Sequence, residues 1–216
     1  MQKKYTLKTV LTMAAIFVLG SLPAAAQTEV SGIWGASFGL PDLSGVITDA
    51  VGLGLSIGGA PGATTSTSNT SGSKWVAGGG VAKAVSEHVL ITGDVVYNRL
   101  ISTTIDVSIP GAGSTAIHLT DGFLMMTGGA QYQFGESGSK LRPYVAGAGG
   151  IAMELASASA PSVGTVRTTA SHLTFEAGGG ARLFLGEKWG LRPDFRWVHV
   201  PGINFTRATA AVFVQF

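Results

Sequence analysis

Apolar and polar residues alternate with a period of two along most of the chain. Near the C-terminus Trp189, Leu191, Phe195 and Trp197 fall on one side of an extended segment, and Arg192, Asp194 and Arg196 fall on the other. The pattern recurs upstream. Leu173, Phe175, Ala177 and Leu183 oppose Thr174, Glu176 and Arg182; Val145, Ile151, Met153 and Leu155 oppose Arg142, Tyr144 and Glu154; Leu124, Met126, Ala130, Tyr132 and Phe134 oppose Thr127, Gln131 and Gln133. Successive side chains of a strand point to opposite faces, so this period predicts two-faced sheet and not helix.

A repeated punctuation divides the pattern into hairpins. Glycine pairs at 79–80, 128–129 and 179–180 each lead into a strand end, a turn containing Glu87, Glu136 or Glu187, and a new strand. Such repeats mark repeated supersecondary units. Reading outward from them gives eight strands, near 29–40, 73–85, 89–101, 117–134, 141–155, 171–185, 189–200 and 205–216. The turns at 86–88, 135–140 and 186–188 are short. The connections at 41–72, 102–116 and 156–170 read as longer loops. Short turns on one side and long loops on the other is the asymmetry of outer-membrane barrels.

The first residues stand apart. Lys3, Lys4 and Lys8 precede an apolar run from Val10 to Leu22; Pro23 breaks it, and Ala24-Ala25-Ala26 forms a small-residue cleavage site before Gln27. That order is a secretory signal, and the run is short for a helix spanning a bilayer, which needs about 20 residues. The expected organisation is a signal peptide over 1–26 and one barrel domain over 27–216. The chain holds 14 basic and 12 acidic residues. Without the three signal lysines the balance is 11 to 12, a net −1. The basic pI therefore belongs to the signal and gives no reason to expect nucleic acid as a partner.

Composition sharpens the class. Charged residues make up 12%, against about 25% in ordinary globular domains. Mean hydropathy is +0.36 with no second long apolar run, a pairing that suits a membrane barrel better than membrane helices. The 32 glycines also disfavour helices, since each costs about 1 kcal/mol relative to alanine in a helix interior. There is no cysteine, which excludes thiol nucleophiles and thiolate metal sites.

The orientation of the alternation follows. Aromatics near the short turns (Tyr132, Phe134, Trp189, Phe216) suit an interfacial girdle, so the apolar set is expected to face lipid and the charged set the lumen. On that reading Val198 faces the lumen, and a polar replacement there should cost little. The chain ends AAVFVQF, with Val212, Val214 and Phe216 at alternating positions. This ending resembles the closing-strand signal that the barrel-assembly machinery reads, and it implies that no further domain follows. The stretches LRPYVAGAGGIA and FEAGGGARLFLGEKWGLRPDFRW resemble the small outer-membrane β-barrel domain family, similar to the OmpA transmembrane domain and OmpX, over essentially all of 27–216. The resemblance implies an all-β, eight-stranded antiparallel transmembrane up-and-down barrel in the cell outer membrane. Its partners would be outer-membrane lipid and, during biogenesis, the assembly machinery. Members of that class serve as structural barrels, adhesins, narrow channels or lipid-modifying enzymes, and fold does not choose among these.

The candidate chemistry is a polar network in the lumen. Asp94, Glu154, Glu176 and Asp194 face Arg142, Arg182, Arg192, Arg196 and Arg207. Charges confined in a narrow barrel need partners, and eight strands leave an interior that side chains fill, so the network reads as a plug. No residue is assigned to catalysis, cofactor or metal. None of His88, His118, His172 and His199 begins the His-x-Ser-Asn pattern of lipid A deacylases, and no metal-binding spacing occurs. The glycine runs are not followed by Gly-Lys-Ser/Thr and read as close-packed strand glycines. The expected function is a non-catalytic structural or surface-interaction barrel. The alternatives are a small channel or carrier of hydrophobic solutes, and a lipid-modifying enzyme. In the 41–72 connection the apolar half (Val46, Ile47, Val51, Leu53, Leu55, Ile57) is expected to pack as a lid, and ATTSTSNTSGS to behave as a flexible linker.

Overall fold

The computed structural model describes residues 27–39, 64–68, 74–111, 113–136, 138–161 and 164–216. The expected signal peptide and the apolar half of the 41–72 connection lie outside the described residues. Among these residues nine strands follow in chain order: β1 (Thr28–Phe38), β2 (Thr64–Ser68), β3 (Trp75–Ala84), β4 (Val89–Ile109), β5 (Gly113–Gln133), β6 (Leu141–Ala160), β7 (Gly164–Phe184), β8 (Trp189–Val200) and β9 (Ile203–Gln215). All pairings are antiparallel. The sheet order is β2-β4-β3-β1-β9-β8-β7-β6-β5, and β4 also pairs with β5. Eight strands thus close into an up-and-down barrel, with β2 as an added strand on β4. Closure matters because an open edge of unpaired backbone groups cannot be left in lipid.

The ring is staggered. From Gly35 on β1, paired residues run through Thr209, Asp194, Gly180 and Tyr144 to Gln133 on β5. In the other direction they run through Val76 and Asn98 to Phe123 on the same strand. The register therefore advances ten residues, from 123 to 133, in one circuit, and strand tilt follows from that advance.

The alternation resolves in the inverted sense. Trp34, Tyr132, Phe134, Leu173, Phe175, Trp189, Phe195, Trp197 and Phe216 are exposed on the outer surface, whereas Glu29, Asp94, Glu176, Arg182, Arg192, Asp194, Arg196 and Arg207 are buried inside. A water-soluble barrel would place these sets the other way round.

Two expectations about the connections need correction. The stretches 102–116 and 156–170 are not loops, for the strands run on through them. Thr104 pairs with His118 and Ile109 with Gly113, while Ser157 pairs with Arg167 and Ala160 with Gly164. Tight turns with left-handed Gly111, Gly113 and Gly164 close both hairpins. Thr, Val and Ile recur in the first stretch and Thr and Val in the second; these suit extended backbone, and each stretch finds its partner in its own hairpin. Nor is the polar stretch after residue 63 a free linker. Thr64–Ser68 pairs with Thr104–Ser108. A bulge between Arg99 and Ile101 explains why β4 looked shorter in the sequence. It reverses the inward phase, so even positions from Leu90 to Leu100 are buried, then Thr103, Ile105 and Val107. The result is a sheet of β2, β4, β5, β6 and β7 continuing past the ends of β1, β3 and β8.

Candidate functional site

The lumen is layered. Toward the short turns, Glu29 on β1 accepts from Arg192 Nη1 at 3.1 Å and also pairs with Arg182. Arg192 Nη2 donates to Ser31 Oγ at 3.4 Å. The Arg182 guanidinium lies 4.6 Å from the Phe213 ring centre and 5.3 Å from that of Phe184, and the two rings meet edge to face. A guanidinium against aromatic faces is attracted by their quadrupoles, so the cation is held by both a carboxylate and two rings.

Above it, Arg196 gathers three carboxylates. Its Nη1 donates to Asp94 Oδ2 at 3.2 Å and Glu176 Oε2 at 3.0 Å, and its Nε donates to Asp194 Oδ1 at 2.9 Å. Arg207 Nη2 donates to the same Glu176 oxygen at 2.9 Å. Tyr144 hydroxyl donates to Asp194 Oδ2 at 2.5 Å. Two inward glycines make the room. A Cβ on Gly80 would collide with the Asp94 carboxylate, and one on Gly180 with the Tyr144 hydroxyl and the Pro193 carbonyl. Together the two layers hold Glu29, Asp94, Glu176 and Asp194 against Arg182, Arg192, Arg196 and Arg207, which is charge-neutral.

The next layer, toward the long hairpins, is apolar. Leu100, Phe123, Met125, Ala152, Val198, Val200 and Phe205 form one buried cluster, with Ile203 packed against it. Val198 is 0% exposed, which overturns the expectation that a polar group is tolerated there. Its alternation phase was right, but the lumen at that height excludes water instead of being polar throughout. Beyond the cluster, His172 Nε2 lies 3.3 Å from Glu154 Oε2, and Phe123 meets the His172 ring edge to face.

Of the residues singled out from the sequence, Asp94, Glu176, Arg182, Arg192, Asp194, Arg196 and Arg207 lie in the two charged layers. Arg142 and Glu154 do not. Arg142 donates to Gln133 at 3.5 Å and sits 5.3 Å over Phe184, while Glu154 belongs with His172 at the rim. Sequence reasoning missed Glu29. Its signal was present, because Glu29, Ser31 and Ile33 share a phase opposite to Val30 and Trp34. Val212, Val214 and Phe216 point outward along β9, next to buried Ala211 and Phe213.

The histidines stand apart from one another. His118 Nδ1 is 3.0 Å from Thr104 Oγ1, His199 Nδ1 is 2.7 Å from Asn204 Oδ1, and His88 lies near the Tyr132 ring. Among the described residues no histidine meets a serine hydroxyl, and no three metal-ligating side chains converge.

The class defined here is a closed eight-stranded antiparallel barrel with an apolar outer surface and a charge-balanced, partly apolar lumen. No protein-family model and no curated protein matches the chain. Solved structures it is similar to are small outer-membrane barrels. Neisserial surface protein A is 14% identical, with 89% of this chain and 99% of that one covered at a TM-score of 0.48. The attachment invasion locus protein of Yersinia pestis is 11% identical, covering 88% and 99% at 0.48. The N-terminal β-barrel domain of Pseudomonas aeruginosa OprF is 14% identical, covering 88% and 97% at 0.45.

Proposed function

We propose that the protein is a non-catalytic barrel of the cell outer membrane, exported by a cleaved signal over residues 1–26. In this reading the barrel is closed to free solute flow and anchors a surface sheet available for contacts. The observation that carries it is the Arg196 centre, with three carboxylates on one guanidinium and the Leu100–Phe205 apolar cluster immediately beyond. An eight-stranded interior has room for side chains or one small ligand. Here it is occupied by neutralised charge and by packed hydrocarbon. The apolar layer is filled by its own side chains, which speaks against the solute-carrier alternative.

The surface role rests on the projecting sheet. Among the described residues, β7 pairs with β8 only from Phe175 onward, so 164–174 pairs on one side alone, with β6. Unpaired N–H and C=O groups on an exposed edge are a template for an added strand. Val212, Val214 and Phe216 are the residues through which the assembly machinery would recognise the closing strand. Planar-bilayer recording of the refolded monomer in molar salt should show no stable steps. Arg196→Ala should produce leak. Large steady steps from the unaltered monomer would overturn the closed-lumen reading.

A further inference from the structure

On the outer face of the β4–β5 pair, apolar residues give way to polar ones at one height. Ile91, Val95, Tyr97, Leu124, Met126 and Tyr132 lie on the short-turn side; Ser102, Thr104, His118 and Thr120 lie on the hairpin side. Arg99 stands at this boundary. Its neighbours Asn98 and Leu100 are buried in the lumen, so Arg99 faces outward, paired across the sheet with Gly122, which has no side chain. One step beyond the paired Val76 and Asn98, the register sets Trp75 beside it. The Trp75 and Tyr97 rings lie 5.3 Å apart.

Among the described residues the cation has no anion of its own. Among the described residues no carboxylate pairs with Arg99, and its Nε is enclosed without a hydrogen-bond partner. This contrasts with the lumen, where Arg182, Arg192, Arg196 and Arg207 each have a carboxylate. A guanidinium at the edge of an apolar belt is costly unless it reaches an anion. Its planar fork matches phosphate oxygens, and tryptophan and tyrosine sit at headgroup depth.

We infer that Arg99, flanked by Trp75 and Tyr97, is a binding site for the phosphate of a lipid headgroup in the leaflet around the long hairpins. The glycine opposite is covered by the Tyr97 side chain, whose hydroxyl a Cβ there would strike, so the ring lies against the strand beside Arg99. The site rests on the membrane-spanning reading, since a soluble barrel would bring no lipid to it.

The test uses the full barrel in nanodiscs of phosphatidylcholine doped with a few per cent of brominated phosphatidic acid. Tryptophan quenching reads local enrichment of the phosphate monoester. The unaltered protein should be quenched more than by the same fraction of brominated phosphatidylcholine, and inorganic phosphate in solution should not compete. Arg99→Gln should lower the preference about tenfold, Arg99→Lys less, and Arg167→Gln, on the exposed hairpin, not at all. Equal preference in the unaltered and Arg99→Gln proteins would overturn the site, as would no preference in either. Heat-modifiable gel mobility, measured on each sample, separates this failure from a failure to insert at all.

Discussion

Arg196 shows what a single residue does in this lumen. It pairs with Asp94, Glu176 and Asp194 where water is scarce, and in such a place attraction and desolvation are both large. Glu176 keeps Arg207 if Arg196 is lost, but Asp94 and Asp194 do not have a second arginine. Arg196→Ala should therefore lower the unfolding free energy by about 3–5 kcal/mol, read from urea titration of the folded barrel in lipid. Adding Asp194→Asn should return part of that loss by removing one stranded charge. A second residue-scale contrast tests orientation. Phe195 is exposed on the outer face and Val198 enclosed in the apolar layer. Phe195→Arg should cost about 2–4 kcal/mol in a bilayer if it lies near mid-membrane. Val198→Asn should cost about 1–3 kcal/mol for an unpartnered buried amide, in detergent as well as in lipid. Indifference at Val198 would mean that the upper lumen is wet.

At the scale of the element, the strands have two parts with different duties. The lower rows of β4 to β9 carry the charged layers and the closure onto β1. The upper rows of β6 and β7 carry no lumen network, and residues 164–169 are exposed on both faces. Replacing 158–166 by Asn-Gly would join the paired residues Ser157 and Arg167 through a two-residue turn. Barrel stability in lipid should change by less than about 0.5 kcal/mol, because none of the described side chains from 158 to 166 is buried. β4 differs. Its bulge at Arg99–Ile101 re-aims every side chain beyond it, as bulges do. Deleting Leu100 would remove the bulge, leave Thr103, Ile105 and Val107 in the inward phase set by Asn98, and take one side chain out of the apolar layer. That variant should lose about 2–5 kcal/mol for the missing buried leucine while keeping its hairpin register, which urea titration beside a trypsin-resistance assay would show.

For the whole molecule, closure is the governing fact. β1 meets both β3 and β9, and Glu29 ties β1 to Arg182 on β7 and Arg192 on β8. The ring therefore cannot be completed until the first strand and the last three are together. An intact closed barrel should migrate faster on gels unboiled than boiled, and recovery as a soluble protein without detergent would contradict a lipid-facing exterior. Deleting Phe216 removes an exposed aromatic from the final residue, whose N–H donates to the Thr28 carbonyl at 2.9 Å. Export should be unaffected while folded barrel in the membrane falls, as measured by the fraction of heat-modifiable protein in membrane extracts.

The sequence by itself determined the sheet, the strand count of the ring and, for β5 to β8, the side that faces inward. All three follow from a period-two pattern and from glycine-marked turns, which are local properties of the chain. It also contained seven of the eight charges of the lumen layers, because a charged residue in the inward phase has nowhere else to point. Three matters were decided only by tertiary structure. Which carboxylate meets which arginine depends on the ten-residue stagger, which brings Glu29 to Arg182 and Arg192, far away in sequence. The apolar layer depends on height. Leu100, Phe123, Val198 and Phe205 come to one level only after tilted strands close, and alternation carries no information about level. The length of the hairpins depends on pairing across turns. A Thr- and Ser-rich stretch such as 102–109 reads as loop when seen alone and becomes strand once 113–120 supplies its hydrogen bonds.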